Sequence, residues 1–432
     1  MNATPVTPPP HIESYYSATV KRETAYPSLS GEVACDVCVI GAGYTGLSSA
    51  LHLAERGYRV VVLEGARVGW GASGRNGGQI ITGFSGELTP VEAKLGHEDA
   101  VRLWRLAVEA KDLLSELVDR HRIDCHLTPG YVFAACHGRH LREMAETIAV
   151  WGSYGYDKLE MLDREAVRRQ IASERYVGGL YDHGGGHLHP LNYTLGLARA
   201  AEGAGAVLHE GSRVLRIDRG GRGGTHACRT AEGVVRCRHV VLAGNAYLGA
   251  LVPEIRTRIM PVATYMIATE PLGRERARAL LPGDIAFADF NQVVDYCRLT
   301  RDHRLLFGGG ARYWLGDPHD LKEWLRRRMI RVFPQLEDVR IDFAWGGHVA
   351  ITLNRLPNLG VIDDSLWYAH GYSGQGVAFA TMAGKLICEA VSGSPERFRL
   401  CARIPHRPFP GGPARAPLLA LAMLYHKLRD MM

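Results

Sequence analysis

Residues 35–66, CDVCVIGAGYTGLSSALHLAERGYRVVVLEGA, constrain the fold more than any other stretch of the chain. Val33 to Ile40 is an apolar, largely β-branched run leading into glycines, the pattern of a buried strand. Gly41, Gly43 and Gly46 then form G-x-G-x-x-G. The first permits a tight turn, the second lets a pyrophosphate approach the backbone, and the third lets the next helix pack on the strand. YTGLSSALHLAERG carries Leu47, Leu51, Leu53 and Ala54 on one side and stops at Gly57, so it reads as that helix. Its first amides and its dipole suit phosphate. YRVVVLE is the second parallel strand, and Glu64 at its carboxyl end is placed to accept hydrogen bonds from both hydroxyls of an adenosine ribose. A second anion on that ribose would be repelled. The order of these parts predicts an α/β, Rossmann-like nucleotide-binding domain, a parallel sheet flanked by helices.

At 432 residues the chain exceeds one ordinary domain, which predicts two lobes sharing a large core. Its 51 basic and 45 acidic residues are interspersed, so no nucleic-acid stripe is expected. Nine cysteines, an odd number scattered along the chain, favour reduced thiols and a cytoplasmic setting. Cys35 and Cys38 form C-x-x-C, but three positions apart in one strand they should face opposite sides of the sheet, as core thiols with no zinc site and no metal. The start lacks a basic stretch followed by an apolar one, so it does not read as a signal peptide, and its three consecutive prolines predict an extended, poorly folded arm over residues 1–30. The run APLLALAMLY, Ala416 to Tyr425, falls short of the roughly 20 residues of a transmembrane helix, which predicts a soluble protein. The tail Leu418–Asp430 is amphipathic and fits docking on its own protein, a homo-oligomer contact or a membrane surface. With Lys427 and Arg429 as its firm cations, packing on protein is the expectation.

The fingerprint serves nicotinamide and flavin dinucleotides alike, so other segments must discriminate. GARVGWGASGRNGGQI follows Glu64, a small, polar, glycine-rich loop where a nicotinamide enzyme would continue its sheet. RHVVLAGNAYLG (238–249) is an apolar strand ending in small residues, and SLWYAHGYSGQGVAFATMAGKLICEAVSG (365–393) is a strand, a glycine turn and a helix. That turn aims amides and a helix N-terminus at an anionic flavin edge. Together VIGAGYTGLSSALHLAERG, GWGASGRNGGQ, VVLAGN and HGYSGQGVAFATMAGKL resemble the FAD-dependent amine and amino-acid oxidases, the family of D-amino-acid, glycine and sarcosine oxidases. SYYSAT, YCRLTRDHRLLFGGGARY, WGGHVAITLNRLPNLG and the tail are similar to its γ-glutamylputrescine oxidase branch.

The resemblance implies roles by position. Gly41, Ala42, Gly43, Tyr44, Thr45 and Gly46 would cradle the pyrophosphate, and Glu64 with Gly65 the adenosine ribose. Gly71, Ala72, Ser73, Arg75, Asn76, Gly77, Gly78 and Gln79 would border the ribityl chain and flavin ring. Val214, Ala243 and Gly244 would flank the adenine. Gly371, Tyr372, Ser373, Gly374, Gln375, Gly376 and Val377 would close over the flavin pyrimidine. The departures also matter. WGGHVAITLNRLPNLG has no cysteine and GASGRNGGQ no histidine, so the covalent FAD links of some relatives are not expected, and FAD should be noncovalent. Gly374, Gln375 and Ala378 stand where relatives that act on small α-amino acids place an arginine or a lysine for the carboxylate. An amine whose carboxylate lies far from the reacting carbon fits better.

The second lobe is predicted as α+β. Residues 86–159 hold amphipathic helices such as HEDAVRLWRLAVEAKDLLSELVDRH, and residues 258–345 hold strands of a mostly antiparallel sheet. The FAD-binding lobe would comprise residues 31–85, 160–257 and 346–400, and a C-terminal extension 401–432. Tyr265, Tyr296 and Tyr372 are candidate aromatic walls of a substrate pocket, and Trp345 and His348 candidate contacts at the ring edge. Arg298 and Arg312 are candidate carboxylate ligands, with ordinary surface arginines the alternative. His183, His187 and His189, in YDHGGGHLHPLNY, are expected to pack in a glycine loop near the lobe junction rather than bind metal.

The implied activity is oxidation of a small-molecule amine, kept neutral by a dry aromatic pocket, to an aldehyde with ammonia. Molecular oxygen would be the acceptor, giving hydrogen peroxide. The alternatives are a dehydrogenase serving a quinone or carrier, a flavin-holding subunit without turnover, and a nicotinamide enzyme.

Overall fold

A computed structural model describes residues 8–21, 25–221, 223–291, 293–312 and 318–410. The opening motif forms a six-stranded sheet ordered Asn358–Ile362, Leu366–His370, His239–Leu242, Val37–Ile40, Val60–Leu63 and Val207–His209, parallel except at the first pair. Alternation along the strands explains the continuous apolar runs. Val37, Val39, Val60 and Val62 face a core with helices Tyr44–Glu55, Pro190–Gly203 and Phe379–Val391. Cys38, Ile40, Val61 and Leu63 face a second core under a four-stranded sheet, ordered Gly31–Ala34, Gly233–Cys237, His226–Arg229 and Arg216–Asp218. Both faces are therefore buried.

The strand expected over Val33 to Ile40 is two strands, Gly31–Ala34 in the small sheet and Val37–Ile40 in the large one. The break falls at Asp36, whose carboxylate accepts from the Arg59 amide (2.9 Å) and pairs with the Arg59 and Arg238 guanidiniums. Those cations hold its pKa down at about 2. The break also overturns the expected separation of the C-x-x-C thiols. Cys35 and Cys38 belong to one core, where the sulfurs of Cys38, Cys228 and Cys237 lie within 4.8 Å of one another.

The second lobe is built on a mostly antiparallel sheet running Ile341–Ile351, Met260–Thr269, Leu305–Arg312, Asp295–Leu299, Ala286–Asp289, Thr128–Ala135, Gly178–His187 and Gln79–Ile80, with Leu159–Leu162 branching from Gly178–His187. The expected hairpin joins Asp295–Leu299 to Leu305–Arg312. The sheet takes in segments the sequence assigned to the other lobe, Gln79–Ile80, Gly178–His187 and the end of Ile341–Ile351. The glycine stretch before His187 is thus a strand and not a loop. A Cβ at Gly184, Gly185 or Gly186 would lie 2.0 Å from Tyr156 Oη, 2.5 Å from Tyr131 Cβ and 2.5 Å from Thr128 O, so side chains there would force the sheet open.

The helix His97–Arg120 packs on the nucleotide lobe rather than only on its own. Its Ala100, Leu103, Leu114 and Leu117 share a core with Leu47 and Leu386. The N-terminal arm also departs from expectation. Ser14 caps a short helix, Tyr15–Thr19, with a reciprocal Ser14–Ser17 capping box, and Tyr16 is fully buried. Among the described residues no helix is long and apolar enough to cross a membrane. The amphipathic tail lies outside the described residues.

Candidate functional site

A crevice of about 400 Å³ runs along the carboxyl ends of the parallel strands. Gly41, Ala42, Gly43, Tyr44 and Thr45 line it, and Gly43 heads helix Tyr44–Glu55 without a side-chain cap. Apart from that of Tyr44, the first-turn amides are thereby left to a ligand, and no acidic residue sits in that turn to repel an anion. Glycine is needed on steric grounds. A Cβ on Gly43 would reach within 2.7 Å of Ser73 Oγ, and one on Gly46 within 1.9 Å of Gly41 O. Gly46 itself does not line the crevice; it sets helix against strand.

Glu64 and Gly65 lie at the next bend. Glu64 Oε2 accepts from the Ala42 amide (2.8 Å) and Oε1 from Ala66 (3.0 Å), which points the carboxylate into the crevice. Desolvation raises its pKa, against these amides. Its unused lone pairs suit the two hydroxyls of a ribose. Val214, Ala243 and Gly244 line the same end.

Gly71, Ala72, Ser73 and Asn76 line the crevice from the glycine-rich loop, and Ser73 Oγ accepts from the Tyr44 amide (3.1 Å). Arg75, Gly77, Gly78 and Gln79 line no part of it and join the lobes instead. Arg75 lies over the Trp70 ring (4.0 Å) and donates to Trp70 O (2.6 Å), while its own carbonyl accepts from Trp345 Nε1 (3.0 Å). Gly77 O accepts from Arg298 Nε (2.7 Å), Gly78 N donates to Asn76 Oδ1 (2.8 Å), and Gln79 Nε2 donates to Phe287 O (3.0 Å).

The final turn closes the crevice with Tyr372, Ser373, Gly374, Gly376 and Val377. Gly371, Ser373 and Gly374 all have positive φ, which glycine adopts freely and which is strained at Ser373. Tyr372 Oη and Thr45 Oγ1 are 2.6 Å apart, tying this turn to the first helix. Gly371 lies outside the lining and donates its amide to Asn245 Oδ1 (3.0 Å). Asn245, Trp70, Tyr247, Leu248 and Pro9 line the crevice but were not expected from sequence. An asparagine just past a strand, able to take positive φ, was the available signal for Asn245, at +45° here.

Gln375, alone in its turn, faces a second cavity of about 1160 Å³. Phe84, Trp104, Phe133, Trp151, Tyr154 and Phe290 give that cavity aromatic walls. Of the expected walls Tyr372 lines the FAD crevice, whereas Tyr265, Tyr296 and the expected ring-edge contacts Trp345 and His348 lie elsewhere. Tyr265 is buried against Trp324 (5.8 Å), Trp345 stacks edge-on against Tyr16 (5.2 Å), and exposed His348 packs near Tyr247 (5.8 Å). None of the three lines either cavity. Tyr296 covers Gly77 and Gly308. Arg298 is buried and committed to Gly77 O, Leu299 O and Tyr16 Oη, so it is neither a surface arginine nor open to a carboxylate. The Arg312 side chain lies outside the described residues.

The three histidines separate. His183 is exposed beside Glu160 (3.0 Å), His187 contacts Asp284 O (2.7 Å), and His189 caps helix Pro190–Gly203 by accepting from Asn192 N (3.1 Å). Burial lowers the pKa of His187 and His189 to about 3 each, so both stay neutral.

Comparison with known proteins settles the cofactor. The FAD dependent oxidoreductase (DAO) profile matches residues 36–390. The chain belongs to this family. It is 44% identical over 422 residues to the gamma-glutamylputrescine oxidoreductase of Escherichia coli (strain K12), covering 97% of this chain and 98% of that one. It is 39% identical to a probable oxidoreductase OrdL of Haemophilus influenzae over 90% of each chain. Among solved structures, glycine oxidase from Bacillus cereus superposes with a TM-score of 0.70 at 20% identity, over 86% of this chain and 99% of that one. This FAD-dependent oxidoreductase therefore has the glycine oxidase fold. FAD fits the crevice: the uncapped helix start, the glycine cradle and Glu64 match its pyrophosphate and ribose.

Proposed function

We propose that this FAD oxidoreductase oxidises a primary amine derived from a polyamine, with γ-glutamylputrescine the best-supported substrate and oxygen the acceptor. The end-to-end similarity to a gamma-glutamylputrescine oxidoreductase carries the reading. Two features of the site agree with it. The flavin turn offers Gly374, Gln375 and Ala378 in place of a cation for an adjacent carboxylate, and the cavity beyond it is walled by aromatic rings.

Bound FAD would accept two electrons and a hydrogen from the carbon bearing the nitrogen. The C–H bond breaks as the nitrogen lone pair forms C=N, and water then releases aldehyde and ammonia. The protein's part is to hold the amine close and to exclude water so that its neutral form is favoured. Returning the two electrons to oxygen yields hydrogen peroxide. A noncovalent FAD agrees with a crevice that no cysteine or histidine lines among the described residues. A cytoplasmic setting agrees with the nine free thiols.

The test is anaerobic mixing of the purified protein with γ-glutamylputrescine, putrescine, sarcosine and glycine in turn, following oxidised-flavin absorbance. Bleaching by the glutamylated amine, with colour and peroxide on admitting air, is expected. Bleaching that air does not reverse would move the acceptor to a quinone or carrier, and a flavin no amine bleaches would overturn the reading.

A further inference from the structure

The cavity beyond the flavin turn contains a buried acceptor that the protein leaves unused. Gln375 is fixed by its amide, which donates to Tyr372 O (3.0 Å). Its side chain lines this cavity and no part of the FAD crevice. Its Oε1 is buried without a hydrogen-bond partner. An unpaired buried amide oxygen costs free energy, so one kept at the boundary between two cavities is suited to a donor arriving with a ligand. The mouth of the same cavity carries both signs of charge. Glu143 and Glu146 come from helix Gly138–Ser153, and Glu87, Lys94, Arg355 and Arg407 from other segments. None of these six side chains has an ion-pair partner among the described residues.

We infer that Gln375 positions the reacting amine, whose N–H donates to Oε1, and that the charged mouth selects an amine carrying an amino-acid head at its far end. The head's carboxylate meets Arg355 with Arg407 and Lys94, and its ammonium meets Glu143 and Glu146. The inference rests on the amine-oxidising reading and assigns residues to it. Glutamine suits the inner position better than an acid would. An amide oxygen accepts from a neutral amine, whereas a carboxylate would stabilise the ammonium and occupy the lone pair that oxidation needs. The aromatic walls of the same cavity suit an apolar methylene chain.

The experiment uses the holoenzyme and three variants, Gln375→Leu, Gln375→Glu and Arg355→Ala, each checked for flavin absorbance, with Arg407→Ala in reserve should Arg355→Ala lose its flavin. Anaerobic bleaching is followed against pH and amine concentration. Binding of γ-glutamyl-n-butylamide, which keeps the head and lacks the reacting nitrogen, is measured by calorimetry. Arg355→Ala should weaken the butylamide by about ten- to a hundredfold. It should raise the half-saturating concentration of γ-glutamylputrescine relative to putrescine by a similar factor. Gln375→Leu should slow bleaching by both amines and leave butylamide binding in place. Gln375→Glu should move the pH profile of bleaching to higher pH, because a carboxylate beside the nitrogen raises its pKa. An unmoved profile with unchanged rates in both Gln375 variants overturns the inner half. Equal effects of Arg355→Ala on both amines, or none, overturn the mouth. Should no amine bleach the wild-type flavin, the amine-oxidising reading fails, and butylamide binding lost in Arg355→Ala would still identify the cavity as a site for the head.

Discussion

Glu64 shapes the protein's own turn and faces the crevice that FAD fits. Its two oxygens hold the amides of Ala42 and Ala66, shaping the phosphate turn, and leave lone pairs facing the crevice. Glu64→Ala should therefore weaken FAD about ten- to a hundredfold, the loss expected for hydrogen bonds to a charged group, as read by fluorescence titration of the apoprotein. At His370 burial dominates. It holds the ring's pKa at about 3, Nε2 lies 2.9 Å from Asn358 Nδ2, and Nδ1 has no partner. Unfolded, the ring titrates near 6.5, so between about pH 6.5 and 3 the unfolded chain binds the extra proton and stability falls as pH drops. This single group contributes a slope of up to about 1.4 kcal/mol per pH unit. Thermal unfolding followed from pH 7 to 4 should be measurably less pH-dependent in His370→Gln. Glu64 was legible from its position after a strand. The burial of His370 was not, because a lone histidine near a glycine turn looks the same in sequence whether exposed or enclosed.

Among the elements, the short N-terminal helix departs furthest from its sequence reading. Three prolines imply an extended arm, and four or five helical residues have little stability of their own. Tertiary contacts supply it. The Tyr16 ring lies edge-on to Trp345 (5.2 Å) and His189 (5.0 Å), and its hydroxyl accepts from Arg298 Nη2 (3.2 Å). Arg298 in turn donates to Gly77 O, so the helix braces the loop leading to the flavin site. Tyr16→Ala should destabilise the protein by about 3–5 kcal/mol, the range for deleting a fully buried aromatic ring, measured by urea unfolding. The strand break at Asp36 has the same logic. Apolar runs show that a segment is buried, but which sheet each half joins depends on Arg59 and Arg238, distant in sequence.

At the scale of the molecule, the FAD crevice draws on seven separated segments, which is why binding should hold the whole nucleotide lobe together. Saturating FAD at a thousand times its Kd should stabilise the protein by about 4 kcal/mol, seen as a rise in Tm over the apoprotein. Acid precipitation should release the flavin into the supernatant as intact FAD, checked by its absorbance and chromatography. Flavin that stayed in the pellet would show a covalent link. The amino-acid sequence by itself determined the βαβ unit, the first glycine turn, Glu64 after the second strand and the later glycine turn, all of which meet at one crevice. Those depend on local backbone geometry and on apolar periodicity, both written in neighbouring residues. Tertiary structure alone decided which loop residues line the crevice, where the aromatic cavity lies, why Arg298 is buried and how the arm docks. Each of those follows from contacts between residues far apart in the chain, whose pairing no local pattern encodes.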